Sequence, residues 1–197
     1  LTMEGLIGRL QALSDLVDAH PLGTAAATVA VAFAVAALSL PAATVVSLGA
    51  GYAFGAPLGA GLSVTGGTLG GLVAFLALRR AGVGGLGARL PAWLKPVAGQ
   101  PWAVILVLRL LPVLPFSAIN VLAVAIRMPL AIFVGGTALG AYPPQFLYAL
   151  LGARLPALLA DGVRPGPGLL LRPEVGGPLA VLVLLALVPV AARYWRR

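Results

Sequence analysis

Along this chain the apolar positions form long, nearly unbroken runs and the polar positions gather in islands between them. In residues 1–20, Leu6, Leu10, Leu13 and Val17 share one helical face while Glu4, Arg9, Asp15 and Asp18 lie off it. That spacing predicts an amphipathic N-terminal helix lying in a membrane interface. Acids interrupting its apolar part argue against a signal peptide. From Pro21 to Leu78 no charged residue occurs, a run far beyond the ~20 residues that cross a bilayer. Residues 24–40 predict one crossing. The stretch SLPAATVVSLGAGYAFGAPLG, 39–59, then mixes Pro41 and Pro57 with glycines. Broken backbone at membrane depth persists only inside protein or along a wet cavity, so 41–56 reads as a re-entrant half-loop and 58–78 as a second crossing. After a loop at 79–100, residues 101–126 carry RLLPVLPFSAIN, 109–120, inside an apolar run, and predict a second re-entrant element. Residues 128–153 predict a third crossing, kinked at Pro143–Pro144. A Gly/Pro/Arg loop at 154–174 and a last crossing at about 175–193 follow. The elements amount to an all-α integral membrane protein. It has about four transmembrane helices, two inverted re-entrant half-loops and the amphipathic helix, with 21–197 as a single membrane domain.

Composition sharpens this picture. The chain is 60% hydrophobic and 9% charged, against about a quarter charged in soluble domains. There is no cysteine, which excludes disulfides and thiolate metal sites. The one histidine, His20, precedes Pro21 and reads as a boundary residue rather than a metal ligand. The +8 net charge does not mark a nucleic-acid binder, because its basic residues are scattered between apolar spans, where topology and anionic headgroups explain them. With four crossings and both termini cytoplasmic, Arg9, Arg79, Arg80, Arg89, Lys95, Arg127, Arg193, Arg196 and Arg197 fall inside. Only Arg154, Arg164 and Arg172 fall outside, as the positive-inside tendency requires. The arginine, alanine and glycine bias is that of a GC-rich bacterial genome, which places the protein in a bacterial inner membrane.

A faint repeat runs through the chain. Pro41 is followed by Pro57-Leu58 and GGTLGG (66–71), and Pro115 by Pro129-Leu130 and GGTALGA (135–141). The topology orients these units oppositely, as in inverted-repeat transporters. Within the second unit, Pro112 and Pro115 remove backbone donors, and a half-helix is expected to begin near Phe116. A half-loop starting at Pro101 brings Arg109 to ~12 Å depth, near the bilayer midplane. No Asp or Glu lies between Asp18 and Asp161, so the guanidinium has no carboxylate partner in either half-loop. Freed carbonyls, water or a phosphate-bearing headgroup held bidentately are the available partners, with Ser117 and Asn120 adding neutral contacts. A snorkelling, purely structural Arg109 is the competing reading. Gly51, Gly55 and Gly59, four apart, suit close backbone packing.

The ordered set GAGYAFGAPLG…GGTLGG…FLALRR (49–80), RLLPVLPFSAIN and GGTALGAYPPQFLYALLG (135–152) resembles the DedA / SNARE-associated Golgi protein superfamily, or VTT domain, over about 38–155. The resemblance implies two oppositely oriented re-entrant loops meeting near the midplane. It also implies a role in moving phospholipids or polyprenyl-phosphate carriers between leaflets. The positions it carries over are Gly51, Gly55, Gly59, Arg79, Arg109, Pro112, Pro115, Phe116, Asn120, Pro143 and Gly152. The chain departs from the DedA branch in lacking acids in its first half-loop and in carrying Pro115 where that branch has a second arginine. Passive or differently coupled lipid movement therefore suits it better than proton coupling.

The expected function is a membrane lipid transporter or scramblase. Arg109, Pro112, Pro115, Phe116, Ser117 and Asn120 would form the substrate site, and Gly51, Gly55, Gly59, Arg79, Pro143 and Gly152 the structural motif. A small-solute or ion transporter and a non-transporting assembly factor are the alternatives. The partners expected are membrane lipids with anionic phosphate headgroups; a homo-oligomer is compatible with the sequence. No cofactor, metal or nucleic acid is expected. An enzyme is not, because the core holds no Ser/His/Asp arrangement, metal-ligand cluster or carboxylate pair.

Overall fold

A computed structural model describes residues 15–83, 100–110 and 115–160, together with the single positions 8, 12 and 177. All its regular structure is helical, and no strand occurs among the described residues. The elements are α1 (Pro21–Ala37), α2 (Ala43–Phe54), α3 (Ala56–Arg80), α4 (Pro101–Leu110), α5 (Phe116–Ala125) and α6 (Leu130–Ala160). Most of the expected amphipathic N-terminal helix, most of the expected 79–100 loop, Pro112 and the expected last crossing lie outside the described residues.

The breaks between helices fall where local chemistry demands them. Pro21 opens α1 at a position whose N–H would be unpaired anyway. Gly55 joins α2 to α3 alone, at φ +75°, a backbone angle that suits glycine. Pro115, at φ −58° and ψ 142°, caps α5 in an extended conformation. Two helices end in the left-handed turn usually filled by glycine, here by Ser39 (φ 56°) and Arg127 (φ 54°). In each, an amide reaches back across the last turn: Leu40 N–H donates to Val35 O at 2.8 Å and Met128 N–H to Ala123 O at 2.9 Å. The chain thereby turns sharply before Pro41 and before Pro129.

Two boundaries differ from expectation. Helix α6 runs seamlessly through Pro143, Pro144 and Pro156 to Ala160, whereas a loop was expected from residue 154. Leu and Ala dominate 150–160, and a proline removes one helical hydrogen bond without ending a helix whose neighbours hold it. Arg154 is therefore a helix residue, and it is exposed. Residues 101–126 hold two helices of ten residues each, the second beginning at Phe116 as expected. The helix expected over 24–40 spans Pro21–Ala37.

Helices α3 and α6 are the long central pair and run antiparallel: Phe75 of α3 stacks on Phe133 of α6 at 4.3 Å between centroids. At the other end the Tyr142 hydroxyl donates to Pro57 O at 3.4 Å. Helix α1 runs parallel to α3, since Gly66 lies against Val29 and Ala32, and Gly70 against Phe33 and Ala36. Helix α4 likewise runs parallel to α6, with Gly135 against Trp102, Gly136 against Ile105 and Gly140 against Arg109. The set α1–α2–α3 and the set α4–α5–α6 thus point in opposite senses. They meet at neighbouring glycines, because the end of α1 packs on Gly70 while Phe116 packs on Gly71.

Large apolar side chains cover the outside. Leu22 is 86% exposed and Val45 69%, and Leu38 and Leu139 are also exposed. Helix α3, at ~37 Å, is long and apolar enough to cross a membrane; α2, α4 and α5 are each ~15–18 Å, about half a hydrocarbon layer.

Candidate functional site

Arg109 stands in the last turn of α4 and is 6% exposed. Close approach of α4 to α6 puts it there. A Cβ at Gly140 would lie 2.9 Å from the Arg109 Cβ, so only glycine admits the arginine stem at that level. Its Nη2 donates to Asn120 Oδ1 at 3.0 Å and to Thr137 Oγ1 at 3.3 Å. The guanidinium carbon lies 4.1 Å from the centroid of Phe116 and 5.7 Å from that of Phe133, and the rings' negative faces attract the cation. Three helices therefore build the site: α4 brings the charge, α5 brings Phe116 and Asn120 one turn apart, and α6 brings Phe133 and Thr137 at the same spacing.

What the cluster leaves unpaired defines its chemistry. Arg109 Nε, Arg109 Nη1 and Asn120 Nδ2 are buried and have no hydrogen-bond partner. All three are donors. A buried donor without an acceptor costs about 1–3 kcal/mol, more when charged, and none of the helices α1–α6 carries a carboxylate to neutralise the arginine. The arrangement calls for an acceptor-rich, negatively charged group. Nη2 belongs to both two-nitrogen edges of the guanidinium and already serves Asn120 and Thr137. A ligand therefore meets Nε and Nη1 one bond at a time rather than through the expected bidentate grip.

Of the residues expected at the site, Arg109, Phe116 and Asn120 come together. Pro115 caps α5 and is exposed, and Ser117 is half-buried on the first turn of α5 without bonding Arg109. Pro112 lies outside the described residues. Among the structural positions, a Cβ at Gly51 would overlap the Ala149 backbone, and one at Gly152 would overlap Leu48 O. At Gly59 it would come within 2.5 Å of Ala50 O. These three let helix backbones touch; Gly55, expected to do the same, has nothing within 4 Å of a Cβ and is instead the α2–α3 joint, which its positive φ requires. Arg79 is exposed at the end of α3, and Pro143 sits inside α6.

Sequence reasoning missed Phe133 and Thr137. Their signal was present, since Phe133, Thr137 and Gly140 recur at four and three residues, one face of a helix. It also missed a second polar contact, in which the fully buried Ser47 donates its hydroxyl to Gln145 Oε1 at 2.6 Å.

Residues 40–154, more than half of the chain and the stretch that holds this cluster, match the VTT domain. The chain belongs to the VTT domain family. That family is the domain of DedA and SNARE-associated Golgi proteins, and it makes this a membrane protein. No curated protein and no solved structure matches the chain. Helix α1 ends before the matched VTT residues begin and packs against Gly66 and Gly70 of α3.

Proposed function

We propose that this VTT-domain protein is a lipid transporter or scramblase in which Arg109 receives a phosphate headgroup near the middle of the bilayer. The observation that carries the reading is the set of three buried, unpartnered N–H donors on Arg109 and Asn120, with no acid to satisfy them. Depth supports it too. Gly140, which adjoins Arg109, lies about ten residues, or ~15 Å, into α6, half of a ~30 Å hydrocarbon layer. In this reading α1–α2 and α4–α5 are hairpins dipping in from opposite faces, and their tips abut at Gly70 and Gly71 of α3. Acyl chains stay in lipid beside the exposed apolar surface while the headgroup passes along the junction. The protein acts without covalent chemistry, in a bacterial plasma membrane. Anionic lipids are its partners.

Headgroup oxygens would displace water from Nε, Nη1 and Asn120 Nδ2, while Phe116 and Phe133 hold the guanidinium plane and exclude bulk solvent from one side. The test is reconstitution of the full chain in vesicles of phosphatidylethanolamine and phosphatidylglycerol carrying a fluorescent phosphatidylglycerol, with dithionite bleaching of the outer leaflet. Wild type should expose inner-leaflet probe. Arg109→Ala, with unchanged circular dichroism, should slow that exposure about tenfold or more, the loss of one charge-assisted hydrogen bond. Exchange by Arg109→Ala at the wild-type rate would remove the arginine from the mechanism. Solute uptake without lipid exchange would point instead to a solute transporter.

A further inference from the structure

Helix hydroxyls in apolar surroundings ordinarily turn back to the carbonyl four residues earlier. Thr24, Thr28 and Thr65 do so, at 2.9, 2.9 and 2.8 Å. Thr68 does not. It is 7% exposed, and its Oγ1 is buried with no hydrogen-bond partner among the described residues. The other orphan hydroxyl, Ser63 Oγ, lies on the face of α3 that packs on α1 and α2 through Gly59 and Gly66.

Thr68 belongs to the opposite face. Val64, Thr68, Gly71 and Phe75 recur at four, three and four residues, one stripe of α3, and all four are buried. Two members of that stripe touch the rings that flank Arg109. Phe75 stacks on Phe133, and a Cβ on Gly71 would stand 2.9 Å from the tip of Phe116 and 3.9 Å from the tip of Phe133. Level agrees with face. Thr68 lies ~10 Å back from Phe75 along α3, and Gly140 lies ~10 Å on from Phe133 along the antiparallel α6. Gly140 abuts the Arg109 stem, and Thr137, which accepts from the guanidinium, stands between Phe133 and Gly140. Thr68 therefore faces the Arg109 cluster from the α1–α3 set, which supplies none of the guanidinium's hydrogen-bond partners.

We infer that Thr68 is a further binding residue of the Arg109 site, its hydroxyl donating to the same phosphate group that Arg109 and Asn120 hold. The inference rests on the lipid-moving reading above and adds a fourth helix to its site. Arg109 Nε, Arg109 Nη1 and Asn120 Nδ2 are unpaired donors, and the Thr68 hydroxyl supplies one more. A phosphate has acceptor oxygens for all of them. Each orphan costs free energy in a dry core, and one anion seated among α3, α4, α5 and α6 removes these costs together. Because Thr68 comes from the α1–α3 set and Arg109 from the α4–α6 set, the bound headgroup bridges the two oppositely pointing sets.

Valine has the shape of threonine without its hydroxyl, so it separates hydrogen bonding from packing. The full protein in dodecylmaltoside is titrated by calorimetry with dioctanoyl phosphatidylglycerol and, separately, with inorganic phosphate. Thr68→Val should bind the lipid about tenfold more weakly than wild type, the loss of one hydrogen bond to a charged group. Thr68→Ser, which restores the hydroxyl, should recover the affinity. Thr65→Val, whose hydroxyl is spent on Gly61 O on the exposed side of the same helix, is the control and should bind as wild type does. Without ligand, Thr68→Val should melt no lower than wild type, because it loses an orphan and not a contact. The same order of affinities with inorganic phosphate would assign the Thr68 contact to the phosphate group itself; binding of the lipid alone would assign it to the headgroup held with its chains. Wild-type affinity in Thr68→Val would overturn the inference, even where Arg109→Ala abolishes binding and exchange, and so would a wild type that binds neither ligand. If Thr68→Val weakens binding but wild-type vesicles exchange no lipid, the transport reading fails and the four-helix anion site stands.

Discussion

Gly49 and Gly51 sit two residues apart in the same helix, and alanine should have opposite effects at the two. A Cβ on Gly49 meets nothing within 4 Å. There the substitution gains helix propensity, worth at most ~1 kcal/mol, and adds no strain. A Cβ on Gly51 would overlap the carbonyl and Cα of Ala149. These are backbone atoms of a packed helix, so no rotamer change relieves the overlap and α2 must move away from α6. Overpacking of this kind costs about 1–3 kcal/mol, and the rigid neighbour argues for the upper end. Separation would also stretch the Ser47–Gln145 bond, now 2.6 Å. After the propensity gain, Gly51→Ala should lose about 1–2 kcal/mol and Gly49→Ala should gain up to ~1 kcal/mol, a gap of ~2–3 kcal/mol between the two variants. The assay is an SDS titration of the protein in dodecylmaltoside, followed by far-ultraviolet circular dichroism, with the two midpoints compared against wild type. Equal midpoints for the two variants would refute the close parallel approach of α2 and α6. With it would go the packing that brings Gln145 to Ser47.

Two further outcomes follow from other parts of the fold. Arg127→Gly and Ser39→Gly should each raise the same unfolding midpoint by about 1 kcal/mol, because each residue holds a left-handed turn that disfavours a Cβ; a destabilised Arg127→Gly would mean that the arginine makes a compensating contact. Asn120→Ala should cost ~1.5–3 kcal/mol, a buried hydrogen bond to a charge, and Thr137→Val less, since its bond to Arg109 is longer at 3.3 Å against 3.0 Å. The reverse order would show that Thr137, not Asn120, is the principal anchor of the guanidinium.

Much of the architecture was written in the local sequence. The charge-free run from Pro21 to Leu78 demanded membrane helices. Pro41, Pro57, Pro115 and Pro129 could be read as breaks because each acts on its own backbone, whatever the rest of the chain does. The arginine of RLLPVLPFSAIN announced itself for the same reason, as a charge among apolar neighbours with no acid within reach. Its pairing with Asn120 was also within reach, because the two stand eleven residues apart in the chain. What the sequence could not say was how the helices would lie against one another. Thr137 joins Arg109 across 28 residues, and Ser47 joins Gln145 across 98. Such contacts depend on helix register, which is set where Gly51, Gly140 and Gly152 let backbones touch. A glycine in an apolar run gives no sign, by itself, of which helix it will meet. The extension of α6 through three prolines has the same origin, since packing against its neighbours, not local propensity, sustains it. The chain's own chemistry decided where it bends and where its charge lies; only the packing of the helices decided what that charge touches.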